Sequence, residues 1–290
     1  MIRRIHLCCL LLLASTSAYS AESYCELGTD PANVFRGSTL DVATLNIAHG
    51  RGTKLNQLLL RQASIKENLD RVAATVNRSR AAVVALQELD VNSRWAGNFD
   101  HATYLLESSN VACSTLGLHA QNWLHQFGTG LLTTMRLSEP VATVFEPTPP
   151  TTTKGLIAAT LRWDDGHSER AVRIASVHLD FSRKNARQRQ IEKIIAAVHA
   201  TPLPMIIMGD FNETWNSKDS VIRRLVDEAG LVAFKPDAAN LATYKTKRLD
   251  WILISPELEF VEYKVSPELI SDHQMVMAAL RWRRTEEDSR

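Results

Sequence analysis

Ten strand-like runs set against only three helical patterns leave this chain few ways to fold. The runs are "LDVATLN", "AAVVALQ", "GLLTTM", "EPVATVFE", "GLIAATLRW", "AVRIASVH", "PMIIMG", "LDWILIS", "EFVEYKV" and "QMVMAALRW". Each is apolar or β-branched and is bounded by polar, glycine or proline breaks. Apolar positions Ile65, Leu69, Val72 and Val76 recur at steps of four, three and four, which predicts a helix from about Leu55 to Ser79. A second helix is predicted in "ARQRQIEKIIAAVHA", where Ile191, Ile194, Ile195 and Val198 recur, and a third over Ser217 to Ala229. A simple doubly wound sheet needs more helices than that. The pattern predicts an α/β chain with two sheets packed face to face and helices outside.

At 290 residues, 45% hydrophobic and 22% charged, the chain can bury one large core. No internal repeat or linker divides it, and "EPTPPTTT", Glu146 to Thr153, reads as a polar loop. Residues 1–20 have two arginines, an apolar run from Leu7 to Ala14 and small residues around Ala18, the pattern of a secretory signal peptide. That run is far short of the roughly 20 residues that span a bilayer. The expectation is a single domain over residues 21–290, exported to the periplasm or secreted, with no stable membrane anchor after cleavage.

Cleavage leaves 31 basic side chains against 32 acidic, so no strong global field steers the protein to a polyanion. Two local clusters remain, "SRKNARQR" (Ser182 to Arg189) and "KTKR" (Lys245 to Arg248). Cys8 and Cys9 leave with the signal, and in an oxidising compartment Cys25 and Cys113 are expected to form a disulfide, with two buried free thiols as the alternative.

Polar residues collect where the apolar runs begin and end. Asn46 ends "LDVATLN", Glu88 follows "VVALQ", His178 ends "IASVH", and "GDFN" puts Asp210 and Asn212 after "MIIM". Asp250 opens "LDWILIS", and Asp272 and His273 precede "QMVMAAL". Asn and Asp are common turn residues, and a lone His at a strand end is ordinarily solvated. Brought together, these edges would assemble a set of carboxylates, imidazoles and amides in one mouth. Glu88, Asp272 and the Asn46 carbonyl are hard oxygen donors suited to Mg²⁺ or Mn²⁺, and no zinc-type Cys or His spacing accompanies them. Beside such a cation, His and Asn donors suit a phosphoryl group, and Asp210 suits activation of a water.

The ordered set "TLNIAHGRG", "VVALQELD", "SVHLD", "GDFNET", "RLDWILIS" and "SDHQMV" resembles the endonuclease/exonuclease/phosphatase superfamily, from about Thr39 to Trp282. The resemblance implies a four-layer α/β sandwich, two mixed β-sheets flanked by helices, that hydrolyses phosphate esters with a divalent metal. It implies Glu88 as principal metal ligand, with Asn46 beside it and Asp272 close by. Asp210 would orient or deprotonate the water, Asn212 would position Asp210, and His273, oriented by Asp250, would donate to a phosphoryl oxygen. His178 would be a second donor, as in the sphingomyelinase, phosphoinositide phosphatase and secreted DNase branches. Thr129 stands where family members often carry an amide, and "TKG" (Thr153 to Gly155) replaces a common "PRG"; both bear on substrate choice.

The expected activity is phosphodiester hydrolysis, with DNA or RNA placed first. Arg94, Lys154 and Trp215 are candidate substrate contacts, Trp215 by stacking on a base, and Arg94 and His49 are candidates to line the site. A phospholipid phosphodiesterase, a phosphoinositide phosphatase or a small-molecule phosphomonoesterase is the alternative. No long apolar hairpin stands out to favour a membrane substrate. A non-catalytic binding module would be expected to lose Asp210, Glu88 or His273, and all are present. The protein is expected to be a monomer.

Overall fold

The computed structural model describes residues 21–26 and 30–284, so the predicted signal peptide lies outside the described residues. The first half comprises β1 (Ala21–Cys25), β2 (Val34–Arg36), β3 (Leu40–Asn46), α1 (Gln62–Ser79), β4 (Val83–Asp90), α2 (His101–Ser108), β5 (Cys113–Gln121), β6 (Gln126–Thr133) and β7 (Ser138–Val144). The second half comprises β8 (Gly155–Asp164), β9 (Glu169–His178), α3 (Lys184–Ala200), β10 (Met205–Asp210), α4 (Val221–Asp227), β11 (Val232–Ala233), β12 (Asp250–Ile254), β13 (Leu258–Val265) and β14 (Val276–Trp282). One sheet runs β1-β5-β6-β4-β3-β14-β13, and the other runs β11-β12-β10-β9-β8-β2, with β7 also on β8.

Side-chain alternation along the central strands explains the layering. Val42, Val83, Ile206 and Met208 point between the sheets and meet Ile157, Ile174 and Ile252 there. Their neighbours Ala43, Val84 and Leu86 point outward onto Ile65, Leu69, Val72 and Val76 of α1. In the second sheet Ala175, Val177 and Ile207 point outward onto Ile191 and Ile194 of α3. Both faces of each central strand are therefore dry, and each fully buried Ile or Leu contributes about 1.5 to 3 kcal/mol. The result is the expected four-layer sandwich.

Each sheet holds a parallel pair at its centre, β3 with β4 and β9 with β10, joined by the crossover helices α1 and α3. β12 is antiparallel to β10 and places Asp250 opposite Asp210, while β14 is antiparallel to β3. Strand ends that are far apart in sequence thus share one rim.

The structure departs from the sequence reading in three places. The helix predicted from Leu55 starts at Gln62, after a 3₁₀ turn over Gln57–Leu59 whose cap Asn56 accepts from the Leu58 amide. Leu55, Leu58 and Leu59 have no layer to pack against, so the apolar run continues the sequence pattern but not the helix. The third predicted helix shortens to α4, capped by Ser220 through the Ile222 and Arg223 amides. Helix α2 and strands β1, β2, β5 and β11 complete the layers. β5, "CSTLGLHAQ", is buried over eight of nine residues despite its polar composition. β1 pairs with β5 so that Cys25 faces Cys113, and the two form the disulfide across a separation of 88 residues.

Candidate active site

Backbone irregularities aim the site residues. The register of β4 against β6 shifts between Gln87 and Leu89, and Glu88 at the shift has a left-handed backbone, φ +57°. Leu86 and Leu89 both pack on the helix side, so the extra residue lets Glu88 leave the regular alternation, the established use of a β-bulge. Asn212 also has φ +51°, and its amide turns back to donate to Asp210 Oδ1 at 2.8 Å. Gly209, immediately before Asp210, lies so close to β9 that a Cβ there would sit 2.0 Å from the Val177 carbonyl oxygen.

A cavity of about 370 Å³ opens at this rim, lined among others by Asn46, Glu88, His178, Asp210, Asp272 and His273. Asp210 Oδ2 accepts from Asn46 Nδ2 at 3.1 Å and Asn212 Nδ2 at 3.2 Å, with His178 Nε2 at 3.6 Å and His273 Nε2 at 3.8 Å. His273 Nδ1 lies 2.8 Å from Asp250 Oδ2, which also accepts from Thr243 Oγ1 at 2.5 Å. His178 Nε2 is 4.0 Å from Glu88 Oε1. On the far side, His49 Nε2 approaches Glu88 Oε2 at 3.3 Å while its Nδ1 meets Asp90 Oδ2 at 2.6 Å, and Trp95 Nε1 donates to Asp90 Oδ1 at 2.8 Å.

Burial sets the charges. It pushes Asp210 up to about 7 despite the His273 cation beside it. Burial works against a charged His273, yet the carboxylates of Asp250 and Asp210 carry it up to about 10. Burial, helped by the Lys154 charge, holds His178 well below the usual histidine range. Glu88 is desolvated too, but His49 and Lys154 keep its carboxyl below the usual range and so ionised. The arrangement is one cationic imidazole, one neutral imidazole and a carboxyl poised near neutrality around a shared space.

Of the carboxylates at the site, Glu88 and Asp272 are the most open to a hard cation. Glu88 and Asp272 side chains are 18% and 29% exposed, against 2% for Asp210 and 0% for Asp250. Asn46 Oδ1 is on the same wall and accepts from the Ala48 amide at 2.9 Å. This oxygen-only set fits a hard divalent ion. Ligand atoms of Asp210, Asp250 and His273 also lie within 4.8 Å of one another. The 2.8 Å contact between Nδ1 and Oδ2 within that group is hydrogen-bond geometry, so the trio reads better as a proton-holding relay.

All eight strand-edge residues singled out in the sequence meet around this rim. The other candidates divide. Lys154 is buried beside Phe127 and Phe181, its ammonium 5.9 and 6.0 Å from their ring centres, and burial pushes it below the usual lysine range against the pull of Glu88 and Asp210. Arg94 is exposed and does not line the cavity. Trp215 lines a separate hollow of about 290 Å³, with the Arg223 guanidinium 5.0 Å from its ring. Most of "SRKNARQR" is engaged elsewhere: Lys184 with Asp219, Arg187 with Glu213, and Arg189 with Glu146. In "KTKR", Lys247 lines the cavity, while Arg248 is buried 3.8 Å from the Trp251 ring.

Sequence reasoning missed Arg51, which holds Asp272 Oδ2 at 2.6 Å, and also Asp90, Trp95 and Thr243. Arg51 and Asp90 sit inside the quoted stretches "NIAHGRG" and "QELD", so their proximity to Asn46 and Glu88 was the available signal.

The sequence pattern of the endonuclease/exonuclease/phosphatase family matches residues 43–273. No curated protein matches the chain by sequence. Among solved structures, a family protein from Beutenbergia cavernae superposes with TM-score 0.66 at 16% identity, over 84% of this chain and 72% of that one. A mannosyl-6-phosphatase from Bacteroides thetaiotaomicron gives TM-score 0.57 at 15% identity, over 84% of this chain and 100% of the other. TDP2 of D. rerio, solved with a single-strand DNA product, gives 0.60 at 14% identity, over 84% and 99%. At these identities the likeness speaks for the fold, while the family rests on the matched pattern. With that pattern running through every strand edge that builds the cavity, the chain belongs to the endonuclease/exonuclease/phosphatase family of phosphate-ester hydrolases.

Proposed function

We propose that the protein is a phosphodiesterase dependent on Mg²⁺ or Mn²⁺. The observation that carries this reading is the convergence of Asn46, Glu88, His178, Asp210, Asp272 and His273 on one cavity. Glu88, Asn46 and Asp272 would hold the cation, which supplies positive charge beside the phosphoryl oxygens as they gain negative charge. His273, charged at neutral pH and fixed through Nδ1 by Asp250, presents Nε2–H to a phosphoryl oxygen. Asp210, clamped by Asn46 and Asn212 and raised toward neutrality, takes a proton from the attacking water. His178, neutral and with Nε2 turned toward Asp210 and Glu88, offers a second donor to the phosphate.

Nucleic acid stood first in the sequence reading because of "SRKNARQR", "KTKR" and Trp215. The internal contacts of those residues lend that choice little support. Export is proposed as well, supported by the Cys25–Cys113 bond, which suits an oxidising compartment.

Hydrolysis of bis-p-nitrophenyl phosphate tests the activity. It is expected to stop in excess chelator, return with Mg²⁺ or Mn²⁺, and fall by about 10²-fold or more in Asp210→Asn. Undiminished turnover in chelator by protein stripped of metal would refute the proposal.

A further inference from the structure

We propose that the mouth of the catalytic cavity docks on an anionic phospholipid surface, so that the phosphodiester it takes is a lipid headgroup; this rests on the phosphodiesterase reading above. Five of the largest exposed apolar side chains lie on loops at the catalytic rim: Leu55 (99% exposed), Leu59 (82%), Trp123 (77%), Phe181 (61%) and Leu58 (57%). Single exposed leucines are ordinary on a protein surface, whereas a cluster around a mouth marks an interaction site.

The loops that carry the leucines and Trp123 form one ridge. The turn Gln57–Leu59 packs on a 3₁₀ turn over Arg94–Ala96, and Gln62 Nε2 donates to the Gly97 carbonyl at 2.7 Å. The Arg94 amide donates to the Leu124 carbonyl at 2.9 Å, and the Trp95 ring stacks on His125 at 4.4 Å, which fixes the hairpin tip that carries Trp123. The inner end of this ridge is the site itself. Trp95 holds Asp90, Asp90 holds His49, and His49 approaches Glu88, while Arg51 at the root of the first loop reaches in to Asp272. Phe181 lines the cavity.

Charge selects the partner. Besides Arg51, which is paired with Asp272, residues 47–61, 91–98 and 121–126 carry Lys54, Arg61 and Arg94 and no acidic residue, in a chain whose total charge is close to neutral. Leucines ringed by cations match the two layers of an anionic bilayer surface, apolar chains below and phosphates above. A polynucleotide would use the cations and stack on Trp123, but it offers nothing to three solvent-exposed leucines. The contact is interfacial: no helix among the described residues is long and apolar enough to cross a membrane.

The test uses the full-length mature protein and vesicles of phosphatidylcholine with about 30% phosphatidylserine, against phosphatidylcholine alone. Wild type is expected to float with the anionic vesicles, and added salt to weaken the contact. The triple variant Leu55→Ser, Leu58→Ser, Leu59→Ser and the single variant Trp123→Ala should each lose about tenfold or more in vesicle affinity. Lys54→Glu with Arg61→Glu should lose a similar amount on anionic vesicles only. All three should hydrolyse bis-p-nitrophenyl phosphate in solution at the wild-type rate, which also shows that they are folded. Equal vesicle binding by wild type and variants overturns the proposal. So does failure of wild type to bind, or cleavage of plasmid DNA that falls in the same rim variants. If vesicle binding behaves as expected while the soluble diester is untouched, docking stands and the phosphodiesterase reading fails.

Discussion

His273 and Asp250 show at the scale of single residues how a buried pair acquires a role. A histidine this deeply buried is ordinarily neutral, and it is the neighbouring carboxylates, Asp250 and Asp210 foremost, that keep it charged. Asp250 in turn is fixed by Thr243, whose hydroxyl donates to Oδ2 and accepts from the Leu249 and Asp250 amides. If the carboxylate acts through the imidazole, Asp250→Asn should lower kcat by about 10²-fold. Adding it to His273→Ala should then cost almost nothing more. Steady-state kinetics on the two single variants and the double variant measure this, and additive losses would show that the residues act separately.

At the scale of elements, the site depends on how closely two parallel strands approach. Gly209 faces Val177 across β9 and β10, with φ +149° and no room for a Cβ. Gly209→Ala must either push β10 off β9 or strain the backbone that aims Asp210. A loss of about 3 kcal/mol or more in urea unfolding is expected, with activity falling in the protein that remains folded. An alanine variant of wild-type stability would contradict the close approach. The bulge at Glu88 is the counterpart in the first sheet: both devices turn a carboxylate from a strand end into a cavity wall.

For the whole molecule, the disulfide ties the first strand to the edge of one sheet, far along the chain from its partner. β1 is short, and apart from Ala21 its residues are absent from the apolar clusters, so packing alone holds it weakly. Cys25→Ser with Cys113→Ser should lower stability by about 2 to 4 kcal/mol. It should leave hydrolysis of a soluble diester unchanged, because the cavity is built from the sheet centres. Urea titration with a parallel activity assay checks both halves. Recovery of the exported protein without free thiols, and without residues 1–20, would support the proposed compartment.

Strand periodicity and the count of helices were enough to specify the sandwich, because a face that alternates apolar residues must be buried against another layer. The polar types at strand ends likewise named the rim residues, since a chain leaving a buried strand meets solvent where chemistry can occur. Only the tertiary structure decided what those residues face. It placed β5 in the core despite its polar letters, and it pointed Glu88 into the cavity through a bulge that no local pattern announces. It committed Trp215 and most of "SRKNARQR" to internal contacts. It also left Leu55, Leu58 and Leu59 exposed ahead of α1, where the helix predicted from the spacing of Ile65, Leu69, Val72 and Val76 was expected to begin. Burial and charge pairing depend on residues distant in sequence, so local periodicity carries the strands and helices but not the partners each side chain will find.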